Sequence, residues 1–146
     1  MKTIVIDNRK AKTVLSKYGK SFDNSILLLS SAKKGLKPQA VFDFILLSQF
    51  PDQLTEDVFK KTLKTFTNYK QHNTLLDSVT SEKLLKLFSL YDKGIVVFGA
   101  IEEFNKWMKE PAFGLGNQIP RTLLDTITGI DLVQEELKRI EYGDLA

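Results

Sequence analysis

An all-α fold is predicted by three observations. Apolar residues return at intervals of three and four in one segment after another, and glycine or proline closes those segments, several times behind a basic last turn. The β-rich runs are short, over residues 3–6 and 95–98, and the second has no partner run with which to pair. With 42% hydrophobic and 27% charged residues, a chain of 146 residues can bury a core, so neither disorder nor a fibrous repeat fits. Its length corresponds to about one domain or two small ones.

Each element has its own signal. Residues 1–20 mix the β-like run with Arg9, Lys10, Lys12, Lys17 and Lys20 and read as an arm or edge strand. Over 23–34, Ile26, Leu27, Leu28 and Leu29 precede Lys33-Lys34-Gly35, a basic last turn followed by a helix stop. Pro38 suits a first helical turn, and Val41, Phe42, Ile45 and Leu46 follow until Phe50-Pro51 breaks the run. Thr55, with Glu56 and Asp57 behind it, opens a helix whose Val58, Leu63 and Phe66 interleave with Lys60, Lys61, Lys64 and Lys70. Over 81–93, Leu84, Leu85, Leu87, Phe88 and Tyr91 form a broad apolar face ending at Gly94, and 95–98 reads as a buried connector.

After Gly99, Ile101, Phe104, Trp107 and Met108 mark one helical face, which Pro111 ends. A loop over 111–119 carries Gly114 and Gly116. Pro120 then opens a short helix through Leu123, Leu124 and Ile127 to Gly129, and Asp131 begins the last helix, with Ile130, Val133, Leu137 and Ile140 on one side and Gly143 behind it. The predicted organisation is an arm over 1–20, an N-terminal helical unit over 21–98 and a smaller helical unit over 99–146 packed against it.

Composition removes several chemistries. There is no cysteine, hence no disulfide, thiolate metal site or Cys nucleophile, and His72 is the single histidine. Apolar runs such as 26–29 and 45–47 fall far short of the ~20 residues a membrane span needs. Residues 1–6 begin like a signal peptide, but Asp7, Arg9 and Lys10 interrupt it, so an intracellular, cytoplasmic protein is expected. The charge is unevenly spread. Residues 1–83 hold 14 basic against 8 acidic side chains, a net of +6, and residues 84–146 hold 7 against 10, a net of −3. The basic half could attract phosphate.

Ser78, His72 and Asp77 lie close in sequence but define no nucleophile–base pair, and Gly114-Leu115-Gly116 is too short for a phosphate-binding loop. Glu102-Glu103 and Glu135-Glu136 read as solvated faces. No enzyme, cofactor or metal is predicted. A short helix, a break, and a helix bearing Lys60, Lys61, Lys64, Thr65, Thr67, Asn68 and Lys70 supply the groups that contact phosphates and base edges from a major groove. A basic solvated helix is the alternative, and the turn carries no distinctive glycine.

The last third is more specific. Val97-Phe98-Gly99, Phe104-Asn105-Lys106-Trp107-Met108, Glu110-Pro111, Leu115-Gly116, Ile119-Pro120-Arg121-Thr122-Leu123-Leu124-Asp125-Thr126, Gly129 and Leu137-Lys138-Arg139-Ile140-Glu141-Tyr142-Gly143-Asp144-Leu145-Ala146 follow in order. This pattern, over about residues 97–146, resembles the Xre/MbcA/ParS toxin-binding domain at the C-terminus of antitoxins. Lys64-Thr65-Phe66-Thr67-Asn68-Tyr69 and Ser81-Glu82-Lys83-Leu84-Leu85 resemble parts of the Xre-like helix-turn-helix that precedes it, with Asn68 in place of a basic residue. Asn117 stands for the second glycine of the family's Leu-Gly-Gly, a position where Asn tolerates positive φ.

The resemblance implies an antitoxin of a type II toxin–antitoxin system, paired with a RES-domain toxin that consumes NAD. The end of its chain would approach the entrance of the toxin's active site, and its N-terminal unit would form a homodimer on operator DNA. Carried onto matching positions, the toxin-facing residues are Arg121, Asp125, Arg139, Glu141, Tyr142, Gly143, Asp144 and Ala146. Trp107, Leu115, Pro120, Leu123, Leu124 and Ile140 are implied to shape the core and loops. The alternatives are an orphan helix-turn-helix regulator and a toxin-binding module without DNA binding.

Overall fold

The computed structural model describes residues 5–143, and side-chain oxygens set most of its helix starts. Asp7 accepts from Lys10 N ahead of α1 (Asn8–Ser16), and Asn24 from Leu27 N ahead of α3 (Ser25–Lys34). Between them lies one turn, α2 (Gly19–Phe22). The chain continues through α4 (Gln39–Ser48), α5 (Asp52–Phe59), α6 (Leu63–Gln71), the 21-residue α7 (Ser78–Phe98), α8 (Ile101–Met108) and α9 (Ile127–Glu141). Two 3-10 turns, Phe113–Leu115 and Pro120–Leu123, join α8 to α9. Among the described residues the only β pairing is an isolated bridge between Ala112 and Gln118, so the all-α class is as predicted. No helix among them is long and apolar enough to cross a membrane.

Helix α7 is the centre. No residue from Thr80 to Tyr91 is exposed, because α2, α3, α4, α8 and α9 pack around it. A single apolar cluster runs from Ile6 to Leu137. Phe44 lies at its aromatic heart, meeting Phe50, Phe59, Phe88 and Tyr91 edge-on at 5.2–6.0 Å between centroids, a favoured geometry for aromatic pairs.

Four segments differ from their sequence reading. Residues 8–22 are helical, not an edge strand: Ala11, Val14 and Leu15 are buried, and the Tyr18 hydroxyl donates to the buried Asp43 while its ring stacks on Phe88 at 4.2 Å. Residues 1–4 lie outside the described residues. The helix expected from Thr55 onward is two helices, since Lys60 adopts left-handed backbone (φ 58°) and stops α5. The last helix begins at Ile127, capped by Thr126, and the short helix before it is a 3-10 turn that ends at Leu123.

The fourth difference is Gly94, which does not end α7. The helix runs through it to Gly99, whose φ of 86° makes the real stop. Gly94 is there because the Phe104 ring of α8 lies against its Cα: an added Cβ would sit 2.5 Å from three ring atoms. Gly94→Ala should therefore lower the melting temperature even though alanine favours a helix by about 1 kcal/mol over glycine. A thermal melt monitored by circular dichroism checks this, and a higher melting temperature would contradict the close packing.

Candidate functional site

The C-terminal surface is built on α9. Val133, Leu137 and Ile130 face inward, and Glu136 lies on the same inward side with its side chain 3% exposed. This corrects its reading as a solvated residue, which holds for Glu135, Glu102 and Glu103. A buried carboxylate needs a partner. Arg139 Nε donates to Glu136 Oε1 at 2.7 Å, and Arg139 Nη2 reaches the Gly114 carbonyl at 3.5 Å. The loop carrying Gly114 is clasped onto α9 in turn, because an added Cβ at Gly114 would fall 2.0 Å from Glu136 Oε2.

That loop is closed by its own backbone. Ala112 N donates to Gln118 O at 3.0 Å and Asn117 N to Ala112 O at 2.9 Å, while Gly116 and Asn117 take φ of 65° and 63°. Positive φ at Asn117 is as the sequence predicted. Leu115 is buried as the foot of the loop.

Of the predicted toxin-facing residues, Tyr142 and Gly143 are exposed at the end of α9, with Gly143 at φ 75°. Glu141 is tethered to α7 by Lys93, 2.5 Å away. Arg139 is committed to Glu136, and Asp125 faces Lys60 at 3.7 Å. Arg121 is half-buried close enough to Tyr91 to act on it electrostatically. Asp144 and Ala146 lie outside the described residues. Leu115, Pro120 and Leu124 are buried and Trp107, Leu123 and Ile140 partly so, consistent with core and loop-shaping roles.

The predicted DNA-facing residues divide. Lys64, Thr65, Thr67 and Asn68 line one shallow polar depression on α6 with Thr62 and Gln71, while Phe66 faces the core. The other three are turned elsewhere: Lys60 to Asp125, Lys61 Nζ to Asp77 Oδ2 at 3.0 Å, and Lys70 over the Phe42 ring at 5.3 Å from its centroid. The turn between α5 and α6 holds its shape without glycine. Glu56 Oε2 accepts from Leu63 N at 2.7 Å across it, and Thr62 Oγ1 from Thr65 N at 3.2 Å.

One residue ties the two surfaces together. Lys83 on α7 donates to Val58 O at the end of α5 (2.7 Å) and to Asp125 O before α9 (2.8 Å). Burial, followed by repulsion from Lys60, holds its ammonium below the ordinary lysine pKa. Its only sequence signal is a lysine within an otherwise apolar helix face. Glu136 offered a clearer one, standing three residues beyond Val133 on the inward side.

With these surfaces described, the comparisons with known proteins become specific. Residues 93–143 match the antitoxin Xre/MbcA/ParS C-terminal toxin-binding domain, the segment that contains α8, the clasped loop and α9. A curated relative, Antitoxin Xre of Yersinia enterocolitica (serotype O:8, biotype 1B), is 23% identical over 138 residues, which is 92% of this chain and 91% of the relative. The all-α fold thus ends in a segment similar to an antitoxin's toxin-binding domain. Residues 93–143 are similar to the Xre/MbcA/ParS toxin-binding domain, and the chain as a whole is similar to an Xre antitoxin.

Asp77, noted beside His72 and Ser78 in the sequence, serves as the cap of α7. Its carboxylate accepts from Thr80 N and pairs with Lys61, and the first of these chiefly holds its pKa below the ordinary 3.8. A carboxylate with a depressed folded pKa contributes stability that is full above its unfolded value and fades as the pH falls through the folded one. Asp77→Ala should thus cost about 1 kcal/mol at neutral pH, with the gap from wild type closing as the pH falls below 3.8. Urea unfolding at a series of pH values measures it. A gap independent of pH would show that the carboxylate is not the stabilising group.

Proposed function

We propose that this chain neutralises a RES-domain, NAD-consuming toxin in the cytoplasm by seating the end of α9 at the entrance of the toxin's active site. The observation that carries this reading is the preparation of that end. Glu136 with Arg139, and Lys93 with Glu141, fix the last two turns of α9, and the chain then leaves through exposed Tyr142 and Gly143. A helix end already fixed before binding loses little conformational freedom on docking. The residues that follow, Asp144 to Ala146, bring an acidic side chain suited to a pocket whose cations receive an anionic cofactor.

The same chain, as a homodimer, would occupy its own operator through the outer face of α6. Three observations support this half of the reading. α5 and α6 are joined by a three-residue turn; Lys64, Thr65, Thr67 and Asn68 share one exposed face; and α3 leaves Ile26, Leu27 and Leu29 at 80%, 42% and 49% exposure, free for self-association. The Lys60–Asp125 pair is long and solvent-exposed, so a phosphate can take Lys60 at little cost.

Two experiments test the halves separately. In co-expression with the toxin of the same operon, wild type should relieve growth arrest and a chain ending at Glu141 should not, with both melting alike because the ion pairs remain. Full rescue by the shortened chain would remove the plug. On the upstream promoter, Lys64→Glu should weaken binding at least about tenfold at ~0.1 M salt and flatten the salt dependence, as loss of a phosphate contact requires. Promoter affinity unchanged at every salt concentration would remove α6 from the DNA face, no promoter binding by wild type would leave a toxin-binding module without DNA binding, and promoter binding without toxin rescue would mark an orphan regulator.

A further inference from the structure

The clasped loop carries a feature that the proposed plug does not use. Phe113 is 88% exposed, the most exposed large apolar side chain among the described residues. Its backbone is nevertheless held from both sides. Ala112 before it is buried and bridged to Gln118, Gly114 after it is pressed against the Glu136 carboxylate and accepts from Arg139, and Leu115 is anchored in the core. An aromatic ring displayed in water on a rigid loop gains nothing for the fold. It is what a binding hot spot requires, since a ring with two side-chain torsions on a fixed backbone loses little entropy when it enters a pocket.

The surface around it is continuous with the end of α9. Arg139, which touches the Gly114 carbonyl, stands three residues before Tyr142. Leu132, Glu135, Arg139 and Tyr142, spaced three, four and three, share the outer face of the helix, with Leu132 and Tyr142 43% and 75% exposed. All of these residues fall within the matched toxin-binding segment, whereas the exposed apolar residues of α3 lie outside it. Continuity with that domain favours the toxin as occupant over a second copy of this chain.

We propose that Phe113 is the aromatic anchor of the toxin interface: its ring enters an apolar pocket on the toxin beside the active-site entrance, and Tyr142 makes the neighbouring contact. The inference rests on the toxin-neutralising reading. The pairing of buried Glu136 with half-exposed Arg139 acquires a purpose here, since it sets the height and angle of the loop that presents the ring.

The test uses the full chain and the toxin whose growth arrest it relieves, with affinity measured by titration calorimetry and mass by light scattering. Phe113→Ala should weaken toxin binding at least about tenfold, Phe113→Tyr should restore most of it, and both variants should melt and weigh as wild type does. Toxin affinity unchanged in Phe113→Ala would overturn the proposal. So would a lowered melting temperature, which would make the ring part of the fold, or a change in oligomeric mass with toxin affinity intact, which would give the face to a second copy. Wild-type chain that fails to bind the toxin would instead defeat the neutralisation reading itself.

Discussion

Enclosure of α7 from Thr80 to Tyr91, where no residue is exposed, is the constraint on which the rest of the structure depends. A helix carrying Leu84, Leu85, Leu87, Phe88, Leu90 and Tyr91 around its circumference cannot lie on a surface, and so six other helices, α1 to α4, α8 and α9, cover it. That requirement fixes where α8 and α9 go. α8 comes close enough to α7 only because Gly94 has no side chain in the path of Phe104, and α9 then closes the remaining side. The helix is also where the two candidate surfaces meet, since Lys83 holds the last turn of α5 and the approach to α9 with one ammonium group.

The C-terminal surface shows how a polar group can be built into a fold for the sake of geometry. Glu136 is buried while Arg139 is 42% exposed, and the cost of burying the carboxylate offsets much of the attraction between them. Glu136 and Arg139 are more informative as a positioning device: the carboxylate sits beneath Gly114, the guanidinium reaches that residue's carbonyl, and the loop has no freedom to lift away. On α6 the polar face is modest in charge, with Lys64 the one of four candidate lysines that makes neither a salt bridge nor a contact over an aromatic ring among the described residues. The end of α9 is accordingly the better prepared of the two surfaces.

Much of this was legible in the residues. Periodicity marks α4 and α8, the apolar run ahead of Lys33-Lys34-Gly35 marks α3 and its stop, and the ordered motifs from Val97 to Gly143 point to a C-terminal segment like that of antitoxins. The misses have local physical causes. Lys60 ends α5 in a left-handed conformation usually left to glycine, so nothing in the composition marked the break. Gly94 was read as a stop because packing against a ring and termination of a helix use the same residue. Glu136 was assigned to solvent because an acid beside another acid resembles a hydrated face, and only its register with Val133 and Leu137 places it inside. Phe113 had no signal at all, since exposure of a ring is a property of the closed loop.

Hydrogen–deuterium exchange of the chain alone and in complex with its toxin tests the central claim most directly, because it maps the covered surface without altering a residue. Exchange should slow over 112–116 and over the last two turns of α9, while α6 from 63 to 71 exchanges as it does in the free chain. Slowing confined to α6 or α3, with the loop and the α9 end unchanged, would contradict it.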